Sequence, residues 1–402
     1  MTGQESKPRG AQHTLPGLPT AADVPTQSRR EGGQPAERTA TRVARGTLEA
    51  SEPQLGDQIR EEERKRSRKA DRQEFFLPVT GFAWFFPEEV KIIDHPAFQR
   101  LSRVNQLGQT HLVFRGASHK RIEHVLGAVH IAQRMIAALN FNADKEHTKP
   151  LQEQRPYAPL SEEEQRFIRL GALLHDIGHL AAGHTLEDEL SLIGKHDGDD
   201  RLTLIFDKND WGAFGGKNQR KQSLQDLLND QYKIWMPSLL LKEGLTPTDV
   251  VRILIRKKTP EQEDKFKRQQ EVLEKSAEVR LDVCSNMIGN TICADLLDYL
   301  HRDWYHIGKP NFFDDRIFQY MEIRGPSGER ASADDRFVIA LGQSPKIRTD
   351  GVSAILTLLE WRYQLVIWNA SSSHYRRALG AFKGERLWRK QVCEAGRSHR
   401  WC

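Results

Sequence analysis

From Phe75 onward, apolar residues recur every three or four positions, the period of a helix with one buried face. In Glu164–His179 the stripe is Phe167, Leu170, Leu174 and Ile177; in Ser285–Arg302 it is Met287, Ile288, Ile292, Leu296 and Leu300. The pattern predicts helices over Pro87–Ile93, Pro96–Leu107, Ile122–Leu139, Ser161–His175, Leu186–Ile193, Ser223–Lys233, Pro247–Arg256, Lys265–Val279 and Ser285–Arg302. Polarity alternates over Ile317–Ile323 and Arg336–Leu341, around Gly325–Gly328, which predicts a minor β element. Asp207–Lys221 is rich in Gly and Asn and reads as a loop or lid, while Glu261–Glu278 is polar enough to cross the surface. The expected fold class is therefore all-α, a helical bundle with a minor β element.

Composition changes this picture mainly at the ends of the 402-residue chain. Residues 1–74 contain no aromatic residue and are rich in Gly, Pro, Ser, Thr, Gln and Arg. Such a segment buries too little apolar surface to offset its ordering entropy, so it is expected to be a disordered arm. Its end, Ile59–Gln73, is a mixed-charge run that suits a solvated helix, with nucleic-acid contact as the alternative. The tail from Val366 carries eight Lys or Arg against two Glu, plus three Trp. It reads as a truncated or poorly packed terminus, or else as a basic, aromatic surface for nucleic acid. A net charge of +5 and a pI near 8.9 suit an anionic partner without selecting one. Cys284, Cys293, Cys393 and Cys402 form no CxxC pair, which suits free thiols in a reducing compartment. With no signal-peptide core and no apolar run of about 18 residues, a cytoplasmic protein without membrane spans is expected.

The candidate chemistry lies in three helical segments that read RIEHVLG, LLHDIGHLAAGH and ADLLDYLHRDWYHIG. They supply His124, the doublet His175-Asp176, and Asp295 in the order H…HD…D. Two imidazoles and two carboxylates suit a borderline-to-hard divalent ion such as Fe, Mn, Zn, Co or Ni, with Mg also possible. Such an ion lowers the pKa of bound water and polarises a phosphoryl group, so the pattern points to a metal-dependent phosphohydrolase. A lone His-Asp pair is more often part of a hydrogen-bonded core; here Gly178-His179 and His184 follow it, and matching segments lie on both sides. His175 and His179 are i and i+4 and would share a face if the helix continues. His184 follows a turn marked by Gly183 and opens a helix on which Glu187, one turn later, can hold its protonated form.

At these residues the chain resembles the HD-domain deoxynucleotide triphosphohydrolases, which include bacterial dGTPases and animal dNTPases with a sterile-alpha-motif domain. The likeness runs from about Pro78 to Gly308 and includes IIDHPAFQRLSRVNQLGQTHLVFRGASHKRIEHVLG (Ile92–Gly127) and DLLDYLHRDWYHIG. It implies an HD bundle with His124, His175, Asp176 and Asp295 as metal ligands. It implies that His179 contacts the phosphates and that His184 protonates the leaving 5′-oxygen with Glu187 as its partner. His196 is a further catalytic candidate. Arg121 would hold the triphosphate, Gln106 and Leu107 would line the sugar pocket against a 2′-hydroxyl, Tyr299 would pack on the sugar, and Asp303 would accept from the 3′-hydroxyl. The implied reaction is attack of water on the α-phosphorus of a deoxynucleotide, releasing deoxynucleoside and tripolyphosphate, in a homo-oligomer.

The resemblance divides the chain into the arm at 1–74, an HD phosphohydrolase core at 75–310, a helix and β extension at 311–365, and a basic divergent tail at 366–402. Two departures stand out. Before the turn Pro78-Val79-Thr80-Gly81 stands Leu77, where guanine-activated relatives carry an acid; a basic position is filled by Lys91. After Glu360-Trp361-Arg362-Tyr363-Gln364 the usual further helices give way to the divergent tail. The alternatives are an HD phosphohydrolase acting on a nucleotide monophosphate, a cyclic dinucleotide or ppGpp, or a catalytically idle nucleotide- or nucleic-acid-binding protein.

Overall fold

The computed structural model describes residues 72–147, 159–181, 184, 186–187, 193–209, 222–255, 263–276, 278–309, 314–325, 332–343 and 346–371. All of them belong to the compact unit Pro53–Cys402. The expected arm up to residue 71 and the tail beyond 371 lie outside the described residues, as do most of the predicted Leu186–Ile193 helix and the 207–221 loop. The fold is all-α with minor β elements. Three two-stranded antiparallel sheets occur among the described residues, none larger.

A hairpin of β1 (Gln73–Leu77) and β2 (Gly81–Phe85) leads into α1 (Pro87–Ile93) and the short α2 (Pro96–Gln99). The long α3 (Arg121–His147) runs through the core, burying Val125, Ala128, Val129, Ala132, Met135, Ile136 and Leu139. It packs against α4 (Glu162–Leu174), a helix whose Ser161 and Glu164 form a capping box. There follow α5 (Asp199–Asp207), α6 (Leu224–Tyr232), α7 (Ser238–Lys242), α8 (Pro247–Ile255), α9 (Glu263–Lys275), α10 (Leu281–Ile288) and α11 (Ala294–His306). The last of these lies along α3 and buries Leu296, Leu297, Leu300 and Trp304. Strands β3 (Met321–Arg324) and β4 (Arg336–Ile339) pair, as do the two-residue β5 (Gly342–Gln343) and β6 (Lys346–Ile347); α12 (Thr349–Ser371) closes the described chain. No helix among the described residues is long and apolar enough to cross a membrane.

Buried ion pairs tie these layers together. Arg169 donates from Nε and Nη2 to the Glu89 carboxylate at 2.7 and 2.6 Å, and Arg166 reaches Glu88, so α4 is locked to α1. Glu164 accepts from the Arg280 backbone and guanidinium, and Arg280 also reaches Asp335 at 2.9 Å, joining the start of α4 to the β3–β4 hairpin. Losing one partner of such a pair strands a buried charge, which costs roughly 3–5 kcal/mol.

Several expected elements differ. The predicted Pro96–Leu107 helix ends at Gln99, continues as a 3-10 turn over Arg100–Arg103, and gives way to an isolated bridge between Asn105 and Lys120. Gln106 and Leu107 therefore sit on irregular backbone. The predicted Ser285–Arg302 helix is two helices, because Gly289-Asn290 breaks the run and the Cys293 sulfur caps the second one at Leu296 N. Of the predicted β element, Asp315–Tyr320 forms a 3-10 helix and only Met321–Arg324 pairs with Arg336–Ile339.

Candidate active site

The four residues of the H…HD…D set converge where α3, the end of α4 and the first turn of α11 meet. His124 Nε2 lies 3.2 Å from His175 Nε2, 3.2 Å from Asp295 Oδ1 and 3.5 Å from Asp176 Oδ2. His175 Nε2 lies 3.6 Å from each of the two carboxylates. The hydrogen bonds on the far side of each ring decide which atoms face inward. His124 Nδ1 is 2.9 Å from Asp298 Oδ2, and His175 Nδ1 is 2.8 Å from the Ala172 carbonyl. Both acceptors require an N–H on Nδ1, which leaves both Nε2 atoms with bare lone pairs. Two lone-pair nitrogens and two carboxylate oxygens so close together repel one another unless a positive charge sits between them. The spacing suits bonds of about 2.0–2.2 Å to one divalent ion, so this donor set fits a metal.

The site's own electrostatics show the same demand for positive charge. The His124 imidazole is pushed up to about 10: burial opposes its charge, but hydrogen bonds to Asp295 and Asp298 outweigh burial. His175 is also raised, its burial outweighed by Asp176 and Asp295. Asp176 and Asp295 are held well below the carboxylate range despite burial, Asp176 chiefly by the Arg121 guanidinium and Asp295 by His124 and His175.

Asp176 divides its two oxygens between two clusters. Its Oδ2 faces the cage and accepts from Arg121, while Oδ1 lies 3.2 Å from His179 Nε2 and 3.8 Å from His196 Nε2. Helix α4 stops at Leu174, so His179 does not extend the helical face on which it was expected. It follows a turn instead, with its backbone N–H donating to the Asp176 carbonyl. The rings of His179 and His196 stack at 3.7 Å, and His184 stands edge-on to both at 4.8 and 5.3 Å. Gly178 makes this approach possible: a Cβ there would come within 1.7 Å of the His196 carbonyl oxygen. His179 is brought down to about 3 by burial and then by the Arg121 charge, so it is neutral at pH 7. His184 is lowered by the same two causes and by His196.

Glu187 and Arg121 have partners that the spacing along the chain did not indicate. Glu187 was expected to support His184; its charge does act to raise that imidazole, while its oxygens accept from His196 Nδ1 at 2.8 Å and from Arg201 at 2.9 Å. The physical reason is that Gly178 lets the 194–198 segment close over the turn, bringing His196 between Glu187 and the cage. Arg121 is buried, with one arm on Asp176 and the other on the Gln106 carbonyl at 2.9 Å.

A pocket of about 770 Å³ opens from the cage. Its polar end is lined by Arg121, His175, Asp176, His184, His196 and Asp295, and Gln106, Leu107, Tyr299 and Asp303 also line it. Ile253, Leu254, Ile255, Leu281, Ile288 and Leu365 give it an apolar side. Every sequence-predicted site residue except His124, His179 and Glu187 thus borders one cavity, and those three stand directly behind it. Asp298 and His119 also belong to the site, though no motif marks them: Asp298 holds His124 and His119 holds Asp303. Asp298 sits three positions after Asp295 on the same helix, a spacing that could have marked it as a partner for a ligand; His119 carried no comparable signal.

Residues 121–213 match the HD domain family. Deoxynucleoside triphosphate triphosphohydrolase SAMHD1 from Bos taurus is 27% identical over 244 residues, which is 60% of this chain and 36% of the relative. The Homo sapiens protein of that name is 27% identical over 246 residues, 60% of this chain and 34% of its own length. An uncharacterized protein of Methanocaldococcus jannaschii is 41% identical over 100 residues, 25% of this chain and 17% of the relative. The chain thus spans about a third of the length of the SAMHD1 relatives it matches. The chain is thus similar to HD domain proteins over residues 121–213 and to the SAMHD1 triphosphohydrolases over about 60% of its length.

Proposed function

We propose that this chain hydrolyses deoxynucleoside triphosphates to deoxynucleoside and tripolyphosphate with a divalent metal held by His124, His175, Asp176 and Asp295. The observation that carries the reading is the cage of inward-facing lone pairs at the polar end of a nucleotide-sized pocket. When bound, a divalent ion would supply water activation and polarisation of a phosphoryl oxygen.

The side chains supply the rest. Gln106 and Leu107 form a wall beside C2′ that excludes a 2′-hydroxyl by overlap, Tyr299 packs on the sugar, and Asp303 accepts from the 3′-hydroxyl. Arg121 lines the end of the pocket where the phosphates lie, its guanidinium held by Asp176 and the Gln106 carbonyl, and His179 acts from behind it through Asp176. Water adds to the α-phosphorus, the bond to O5′ breaks, and the leaving oxygen needs a proton. Two histidines border the pocket where that proton is needed. His196 has the stronger geometry, because Glu187 accepts from its Nδ1 and so orients its Nε2 toward Asp176 at the polar end of the pocket. His184 stands beside it as the alternative donor. Its lowered pKa is set by burial and by Arg121, and a polyanionic substrate opposes both the Arg121 and the His196 contributions.

Chelation of the metal and the variant Asp176→Ala test the reading together. Both should abolish turnover of dNTPs, and re-addition of Mn should rescue only the wild type. Full turnover in either preparation would show that the cage is not the reaction centre.

A further inference from the structure

We infer that His119 is a positioning residue for sugar recognition, holding both Asp303 and Gln106 so that the pocket selects nucleotides with a 3′-hydroxyl. This rests on the reading of Asp303 as the 3′-hydroxyl acceptor. His119 does not border the pocket. Its side chain is fully buried, and its Nε2 lies 2.9 Å from Asp303 Oδ1.

An ionised carboxylate only accepts, so the imidazole is the donor in this contact. The Nε2–H is committed to Asp303, and Nδ1 has no hydrogen-bond partner among the described residues. The ring lies flat against His306 at 4.1 Å and 12°, and His306 Nδ1 in turn lies 3.3 Å from the Gly116 carbonyl, which fixes the imidazole plane. Asp303 Oδ1 is thereby fixed, and Oδ2 is the oxygen left for a ligand. Without the His119 N–H, nothing else in the described contacts of Asp303 sets the carboxylate's rotation.

The second grip is through the main chain. The His119 carbonyl accepts from Gln106 N at 3.0 Å, beside the Asn105–Lys120 bridge and the Arg121 N bond to the Val104 carbonyl at 2.8 Å. One residue therefore holds the acceptor on α11 by its side chain and the wall at 106–107 by its backbone. Replacing the side chain should remove the first grip and leave the second. That split separates positioning from a general structural role.

The test compares full-length wild type, His119→Leu and His119→Gln on three substrates: each dNTP, its 2′,3′-dideoxy counterpart and the ribonucleotide. Removing a hydrogen bond to a charged group corresponds to roughly 10- to 100-fold. His119→Leu should lose about that factor in kcat/KM on dNTPs and little on dideoxy substrates. Rejection of ribonucleotides should persist, and His119→Gln, which retains an N–H donor, should recover part of the loss. Equilibrium binding of the same nucleotides carries the same comparison independently of turnover, so failure of the hydrolysis reading would not mask the result. An equal loss on dNTP and dideoxy substrates, or an unchanged ratio, would overturn the inference. A wild type that treats dNTP and dideoxy nucleotides alike would remove both the Asp303 assignment and this one.

Discussion

His124 on α3 and Asp298 on α11 sit 2.9 Å apart, with the imidazole Nδ1–H donating to the carboxylate. Asp298 also accepts from Arg302 Nε and Nη2, each at 2.9 Å. Arg302 in turn donates to the Pro78 carbonyl at 2.9 Å and to Thr80 Oγ1 at 2.7 Å, in the turn of the first hairpin. The inward lone pair of His124 is thus set by a carboxylate that is itself held by a buried guanidinium. Carboxylate partners of this kind fix the tautomer of a ligating histidine and raise its basicity.

Asp298→Asn should lower Mn affinity by about 10- to 100-fold, measured by calorimetric titration of the folded protein. The amide still fits the space, and Arg302→Lys, which disturbs the same carboxylate without touching His124, controls for the loss of the Arg302 pair. Unchanged affinity would show that His124 is oriented without Asp298.

Gly127 lies where α3 meets that pair. A Cβ there would fall 2.0 Å from Asp298 Oδ1 and 2.2 Å from Arg302 Nη2, with both side chains locked by their partners. Gly127→Ala should destabilise the fold by about 1–3 kcal/mol, read from the urea midpoint, and weaken metal binding with it. A variant as stable as wild type, with wild-type metal affinity, would contradict the close packing of α3 on α11.

The Glu187 carboxyl is held down to about 2, below its ordinary 4.5, because burial is outweighed chiefly by the hydrogen bond from His196. A group depressed on folding contributes stability above its unfolded pKa and loses it as pH falls through the folded one. The wild type should therefore lose stability between about pH 4.5 and pH 2, and Glu187→Gln should have a shallower acid limb in denaturation midpoints over that window. Parallel acid limbs would show that the Glu187–His196 bond does not hold in solution.

His196→Ala should cut turnover by about 10²–10⁴-fold while metal and nucleotide still bind. His184→Ala should cost less if His196 is the proton donor, and the reverse order would assign the proton to His184. Near-wild-type rates in both variants would place the donor elsewhere.

Half of the cage was legible in strongly periodic segments, where helical spacing fixes the side on which each residue emerges, while His175 and Asp176 lie just past the end of α4. His124 and Asp295 illustrate this; both are helical and both face inward. The pairing of Glu187 with His196 was not legible, since it depends on how a non-periodic segment folds back over Gly178. The helix break at Gly289-Asn290 was hidden because Met287, Ile288 and Ile292 keep an apolar stripe across it. The β1–β2 hairpin was missed for a different reason: QEFFL and GFAWF carry aromatic residues on both faces, so no alternation marks them, and Phe76 and Phe82 stay exposed as a cross-strand pair. His119 lacked any periodic or motif signal, because its contact with Asp303 joins residues 184 positions apart.

The most direct test of the proposed function is product identity. Purified protein loaded with Mn is incubated with each dNTP, and the products are resolved by ion-exchange chromatography. The cage and pocket predict deoxynucleoside and intact tripolyphosphate in equal amounts, from cleavage between O5′ and the α-phosphorus. Deoxynucleoside monophosphate with pyrophosphate, or no product from any dNTP, would contradict the account.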